Sequence, residues 1–233
     1  MDGEIFSREA LLIGEEALAK LKGSRVIVFG LGGVGGAAFE ALVRAGVGRV
    51  DAVDPDTVSK TNLNRQLLAV SDTVGCLKAD AAKARAAQIA PSCEVTAFPV
   101  FYSAKDRGGI VLEDYDFILD AIDTVSSKLL LIEEAAEKNI PIICSMGTGN
   151  KLFPERLTVS DIYKTNTCPL AAVIRRECRR RGIKKLPVVW SDEEPHRVSE
   201  DAHGRHAPGS ISFVPPVAGY IMAGYAVRHL VGE

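Results

Sequence analysis

The chain reads as an α/β protein: a Rossmann-like, doubly wound, mostly parallel sheet with helices on both faces and a C-terminal extension of the same domain. Three observations predict this. Apolar β-type runs alternate with helical periodicity between residues 26 and 144, the order of crossover units laid on a parallel sheet. The first run, 26–29, breaks into Gly30-Leu-Gly-Gly-Val-Gly-Gly36 and leads into a helix-like segment. The second run closes on Asp54, at the distance of about 20 residues expected of a ribose-binding acid.

Taken in order, residues 5–22 should form a helix pair, with Leu11, Leu12, Ala17, Leu18 and Leu21 as its apolar face. Strand 26–30, the glycine turn and helix 37–45 follow; Gly46 and Gly48 stop that helix before a second strand, 49–54, completing a βαβ unit. Residues 55–74 are polar and irregular. An alanine-rich helix, 78–90, is closed by Pro91, and 93–100 alternates like a strand. Strand 116–122, helix 127–139 and strand 140–144 repeat the theme. Beyond Gly147 the pattern changes: 151–162 is strand-like, 169–181 a strongly basic helix and 187–190 a short strand. Residues 191–210, holding His196, His203 and His206 among acids, proline and glycine, are expected to be a mobile, solvent-exposed loop. Residues 213–230 finish as strand or loop and then an apolar helix.

Composition narrows the class. At 233 residues the chain fits one domain. Its 47% hydrophobic and 25% charged residues are ordinary for a soluble protein. A net charge of −2 makes no global case for nucleic-acid binding, so any such case is local. Five cysteines with no C-x-x-C pair suit reduced thiols rather than disulfides or structural zinc. There is no apolar signal region at the start, and the longest apolar stretch, 214–227, is interrupted by proline and glycine. The expectation is a cytoplasmic protein with no membrane contact.

Gly30, Gly32 and Gly35 have the G-x-G-x-x-G spacing, with Gly33 and Gly36 added. Such a turn lets backbone N–H groups and a helix N-terminus approach phosphate, and it suits NAD as well as ATP. The following segment favours ATP. Lys60-Thr-Asn-Leu-Asn-Arg-Gln66 and Lys78 supply polar and cationic groups that a nicotinamide enzyme does not need and a triphosphate does. Arg65 can fork onto phosphate oxygens, and Lys78 can meet charge developing on the α-phosphate. Asp123, at the carboxyl end of the third main strand, is placed to hold Mg²⁺ bridging phosphates.

In this order, the segments 30–36, Asp54-x-Asp56, Asn62-x-x-Arg65-Gln66, Val74-Gly-x-x-Lys78 and Asp120-x-x-Asp123 resemble those of the ubiquitin-activating-enzyme-like superfamily. That group includes the activators of sulfur-carrier proteins. The resemblance implies an ATP site made of Gly30, Gly32, Gly33, Gly35, Asp54, Asp56, Asn62, Arg65, Gln66, Lys78 and Asp123. It gives catalytic roles to Arg65, Lys78 and Asp123, with Asp123 holding Mg²⁺ through ATP. It also implies a homodimer in which Arg8 reaches the partner subunit's triphosphate.

The second half discriminates within the group. It lacks the paired C-x-x-C motifs common among carrier activators and carries Cys168-Pro-Leu-Ala171, then Arg175, Arg176, Arg179 and Arg180 on one helix, with Lys184 and Lys185 extending the patch beyond Gly182. This half is similar to the tRNA threonylcarbamoyladenosine dehydratases, which use ATP to cyclise the threonylcarbamoyl group of the adenosine beside the anticodon. The implied organisation is a single adenylating domain, 1–233, with an ATP-binding core (1–150) and an acceptor-binding and dimerisation extension (151–233). The implied partners are threonylcarbamoylated tRNA and a second copy of the chain, with a sulfur-transfer protein partner also compatible. The six cations then read as a tRNA-binding patch whose affinity falls with salt. Cys168 is expected to be a bystander, because cyclisation needs no covalent enzyme intermediate. The alternative is adenylation of the C-terminus of a small ubiquitin-like sulfur carrier.

Overall fold

The computed structural model describes residues 2–196 and 208–233. The expected helix pair forms as α2 (Ser7–Ile13) and α3 (Glu15–Gly23), divided at Gly14, whose φ is +83°, and a further short helix, α1 (Asp2–Ile5), precedes it. Leu18 and Leu21 of α3 enter the core, as their spacing predicts. Leu11 and Leu12 do not: they stand 88% and 85% exposed on α2. Turning α2 away from α3 at Gly14 takes them off the shared apolar face.

Strand β1 (Arg25–Phe29) leads through the glycine turn into α4 (Gly35–Arg44), and β2 (Arg49–Val53) follows. Helix α5 (Lys78–Ile89) precedes β3, which spans Ala97–Phe98. The longer strand expected at 93–100 does not form; only an isolated bridge of Glu94 to Arg49 extends it. Strand β4 (Phe117–Asp120), α6 (Val125–Glu137) and β5 (Ile142–Ser145) complete the first half. The extension adds β6 (Leu157–Asp161), α7 (Pro169–Arg180), β7 (Pro187–Ser191) and α8 (Val214–Val231). Pro215 and Pro216 sit in the first turn of α8, where a missing N–H leaves no bond unmade. No helix among the described residues is long and apolar enough to cross a membrane.

All seven strands form one sheet in the order β3-β2-β1-β4-β5-β7-β6, with only the β6–β7 pair antiparallel. Residues 26–29 of β1 are wholly buried, as a central parallel strand covered on both faces must be. One face packs against α3, α4, α5 and α8, the other against α6, α7 and the 98–115 segment. The chain order reverses between β1 and β4, so the carboxyl ends of these strands open a crevice. Of the expected 191–210 loop, residues 197–207, and with them His203 and His206, lie outside the described residues. His196 is exposed, with Nε2 3.3 Å from the Glu193 carboxylate.

Candidate active site

At that crevice lies a cavity of about 480 Å³. The turn after β1 forms its floor. Gly30 has φ +84°, and a Cβ there would come within 2.7 Å of the Ala121 carbonyl oxygen. Only glycine permits both the conformation and the approach of the β4–α6 loop. Gly30, Gly32 and Gly33 line the cavity. Gly35 does not: as the first residue of α4 it packs against the Gly30 carbonyl, too close for any side chain. Its place in the motif is helix–strand packing.

Asp54 is buried at the end of β2, where Oδ2 accepts from the Leu31 N–H at 2.6 Å and Oδ1 from the Asp56 N–H at 2.9 Å. Lys78, the first residue of α5, is also buried; its Nζ stands 2.9 Å from Asp56 Oδ2 and 3.5 Å from Asp54 Oδ1. One cation thus ties two carboxylates at the cavity wall. Asn62 and Gln66 come from the one-turn helix and turn after β2. Asn62 Oδ1 accepts from the Ser59 N–H at 3.0 Å, and the Gln66 N–H donates to the Asn62 carbonyl. Arg65 reaches the cavity with Nη1 donating to the Thr61 carbonyl (2.8 Å) and to Asn64 Oδ1 (2.9 Å).

Asp123 is exposed in the opposite wall. What holds it there is Asp120, which the sequence places inside β4. Asp120 is wholly buried, accepts from the Ile122 N–H at 3.0 Å, and pairs at 2.7 Å with Lys128 Nζ, itself wholly buried on α6. Removing one partner of such a pair costs about 3–5 kcal/mol, so the turn carrying Asp123 is stiffly anchored. Among the described residues the Asp123 carboxylate itself receives only the Thr124 hydroxyl, at 3.3 Å. A carboxylate so little engaged by the described residues, beside a glycine turn, is of a kind that fits Mg²⁺, which takes one or two carboxylates plus phosphate oxygens.

The cavity therefore gathers Gly30, Gly32, Gly33, Asp54, Asp56, Asn62, Arg65, Gln66, Lys78 and Asp123. Arg8 is exposed on α2 and does not line it. Sequence reasoning missed two further walls. One is Val100, Phe101, Tyr102, Ile122 and the buried Ser127, whose hydroxyl is the one buried side-chain polar atom without a partner among the described residues. The other is Thr148, Gly149 and the strip Pro208–Gly209–Ser210. Neither carries a motif; an alternating apolar stretch and a Pro-Gly-Ser run offer no signal of a ligand. The Thr148–Gly149 loop is pinned from behind: Lys151 Nζ donates to the Glu193 carbonyl at 2.6 Å, and the Glu193 carboxylate accepts from the Leu152 and Phe153 N–H groups. Burial pushes the Lys151 ammonium below the ordinary lysine range.

The six basic residues at and beyond α7 do not share one environment. Arg175 turns inward, Nη1 donating at 2.7 Å to both the Thr165 carbonyl and hydroxyl. Arg179 lies over the Tyr163 ring, 5.4 Å from its centroid. Arg176 and Arg180 project 70% and 72% exposed, each touching Glu177 at more than 3 Å, and Lys184 and Lys185 are exposed. Ala171, Ile174 and Cys178 form the buried stripe. Cys168, just before the helix, is buried. Among the described residues no three His, Cys, Asp or Glu side chains gather as a metal site.

Comparison with known proteins places the whole chain in a family. The ThiF family model matches residues 6–233. The tRNA threonylcarbamoyladenosine dehydratase of Bacillus subtilis is 45% identical, over 98% of this chain and 95% of that one. Crystal structures of Escherichia coli tRNA N6-threonylcarbamoyladenosine dehydratase superpose with 99% of this chain and 95% of theirs. The complex with AMP gives a TM-score of 0.91 at 32% identity, and the complex with ATP 0.89 at 30%. The chain belongs to the ThiF family, as its ordered motifs imply.

Proposed function

We propose that this chain is an ATP-dependent dehydratase of threonylcarbamoyladenosine in tRNA, joining carboxylate adenylation to intramolecular ring closure. The observation that carries the reading is the convergence of Asp54, Arg65, Lys78 and Asp123 with the glycine turn on one cavity, together with near-full-length similarity to dehydratases that bind ATP and AMP. In this reading residues 1–150 hold ATP and 151–233 present the acceptor.

A threonine carboxylate oxygen attacks the α-phosphorus of ATP, and the bond to the β-phosphate oxygen breaks, releasing pyrophosphate. The ureido nitrogen then attacks the activated carbonyl carbon and loses its proton. The acyl–oxygen bond breaks, so AMP departs with the former carboxylate oxygen. Water is lost overall from the nucleoside. Arg65 and Lys78 stabilise the charge that grows on the α-phosphate. Asp54 orients the ribose, and Gly32 and Gly33 offer their backbone to phosphate. Asp123 would hold Mg²⁺, which when bound neutralises phosphate charge. Ring closure, being intramolecular, needs chiefly that the nitrogen be held near the carbonyl.

The exposed Arg176, Arg180, Lys184 and Lys185 are proposed to meet tRNA phosphates, with Arg179 beside them and Arg175 bracing the helix. Exposed Leu11 and Leu12 beside Arg8 are proposed to lie in a homodimer interface, with Arg8 directed to the partner's site. A cytoplasmic location suits the scattered, unpaired thiols. The experiment is to incubate the protein with ATP, Mg²⁺ and threonylcarbamoylated tRNA, then digest and weigh the nucleosides. A loss of 18 mass units, about one water, with one AMP per nucleoside is expected. An unchanged nucleoside, with AMP formed only when a sulfur-carrier protein is added, would establish the alternative.

A further inference from the structure

The strip Pro208–Ser210 walls the cavity yet belongs to no helix or strand. Backbone of that kind stays in place only through the partners its polar groups find. Two asparagine side chains supply them from opposite sides. Asn150, which sits at a left-handed φ of 59°, accepts at Oδ1 from the Gly209 N–H (2.6 Å), and its own N–H donates to the Gly209 carbonyl (2.8 Å). Asn64 Nδ2 donates to the Ser210 carbonyl at 3.1 Å, while Asn64 Oδ1 accepts from Arg65 Nη1 at 2.9 Å. The two ends of one amide therefore connect the strip to the arginine that faces the phosphates. The line of contacts runs from Asn150 through Gly209 and Ser210 to Asn64 and Arg65.

We infer that Asn64 and Asn150 are positioning residues: together they fix the 208–210 wall between nucleotide and acceptor and, through Asn64, set the direction of Arg65. Neither lines the cavity, so each acts through another group. Asn64 is exposed and its loss removes no core packing. Asn150 holds the wall against the Thr148–Gly149 loop. The left-handed backbone at 150 is one that asparagine tolerates better than most residues, and it aims both the amide and the N–H at one glycine. The inference rests on the cavity being an ATP site, as proposed above.

The test is ATP affinity, measured by calorimetric titration of the full-length protein without acceptor at fixed salt. Asn64→Ala and Asn150→Ala should each weaken ATP about fivefold, the worth of one lost hydrogen bond. If both act through the same strip, the double variant should be no more than about twofold worse than the weaker-binding single, not the product. Asn64→Ala added to Arg65→Ala should cost clearly less than the fivefold it costs alone, because only its hold on Ser210 is then left to lose. Asn150→Asp, which keeps the accepting oxygen, should bind within threefold of the parent. Asn150→Gly, which relaxes the backbone but lacks the amide, should lose as much as Asn150→Ala. Multiplicative losses, an Asn64→Ala variant that binds like the parent, or an Asn150→Gly variant that does so would each overturn the inference. A parent protein that fails to bind ATP at all would remove the proposed function and this inference together.

Discussion

The half proposed to hold the nucleotide and, at α7, the half proposed to present the acceptor place charge in opposite ways. In the first, Asp54, Lys78, Asp120 and Lys128 are buried, and each is bound to a neighbour through a short contact. In the second, Arg176, Arg180, Lys184 and Lys185 stand out in solvent, the first two held only loosely by Glu177. Adenylyl transfer builds charge at one atom, and groups that need not reorganise stabilise it best. An RNA backbone spreads its charge over many phosphates, and exposed cations of adjustable direction suit it. The contrast predicts that substitutions in the two halves will fail differently.

The largest expected effect is in the first half. Asp123→Ala should lower the rate of AMP formation by at least about 1,000-fold, because the charge it helps to neutralise is greatest in the transition state. Thermal unfolding should hardly move, since among the described residues the side chain is hydrogen-bonded only to Thr124 and the turn is held by Asp120 and Lys128. A variant that remained active would show that the cavity wall is not where the metal is held. A variant that lost both activity and fold would show that Asp123 is part of the buried anchor.

The same contrast explains what could be read from sequence. The strand–glycine–helix turn, Asp54 and Lys78 are legible because each lies at the end of a strand or the start of a helix, and neighbours in sequence dictate where it points. Asp120 inside β4 and Asp123 beyond it follow from the same rule. The 208–210 wall was not legible: it reaches the site through the Asn150 and Asn64 contacts, across 59 and 146 positions of sequence. Gly35 has the motif's spacing but packs inside, and Arg175 belongs to the basic run but binds Thr165. Composition counts a charge without saying which way it faces. Leu11 and Leu12 differ in the converse sense, since the apolar periodicity of the sequence continues through Gly14, where the helix ends.

Those two leucines allow a test of whether the nucleotide half is complete within one chain. Exposed side chains of this size next to Arg8 are proposed to be covered by a second copy. Arg8→Ala should then reduce turnover by about 100-fold, the scale of losing a charged hydrogen bond in the transition state. Mixing it with Asp123→Ala after subunit exchange should restore about a quarter of parental activity, because half the dimers are mixed and each holds one intact site. Leu11→Asp with Leu12→Asp should yield monomers in light scattering and abolish the rescue. If the mixture stays as inactive as its components while exchange is verified, Arg8 does not act across subunits.

The smallest effect belongs to the exposed patch, and it is the one that separates the halves most cleanly. Arg176→Gln with Arg180→Gln removes two cations whose only ion pairs among the described residues are to Glu177, which keeps its closer pairing with Arg181. Binding of tRNA should weaken about tenfold, and the slope of log affinity against log salt should fall by about 2, one for each phosphate contact. ATP affinity should stay within twofold, because α7 contributes no residue to the cavity wall. Arg175→Gln provides the internal contrast: its guanidinium is bound to Thr165, so it should lower the unfolding temperature while leaving the salt slope near the parental value. An unchanged slope in the double variant would move the RNA contact off this helix. A loss of ATP affinity equal to the loss of tRNA affinity would mean that the two halves are not separate at all.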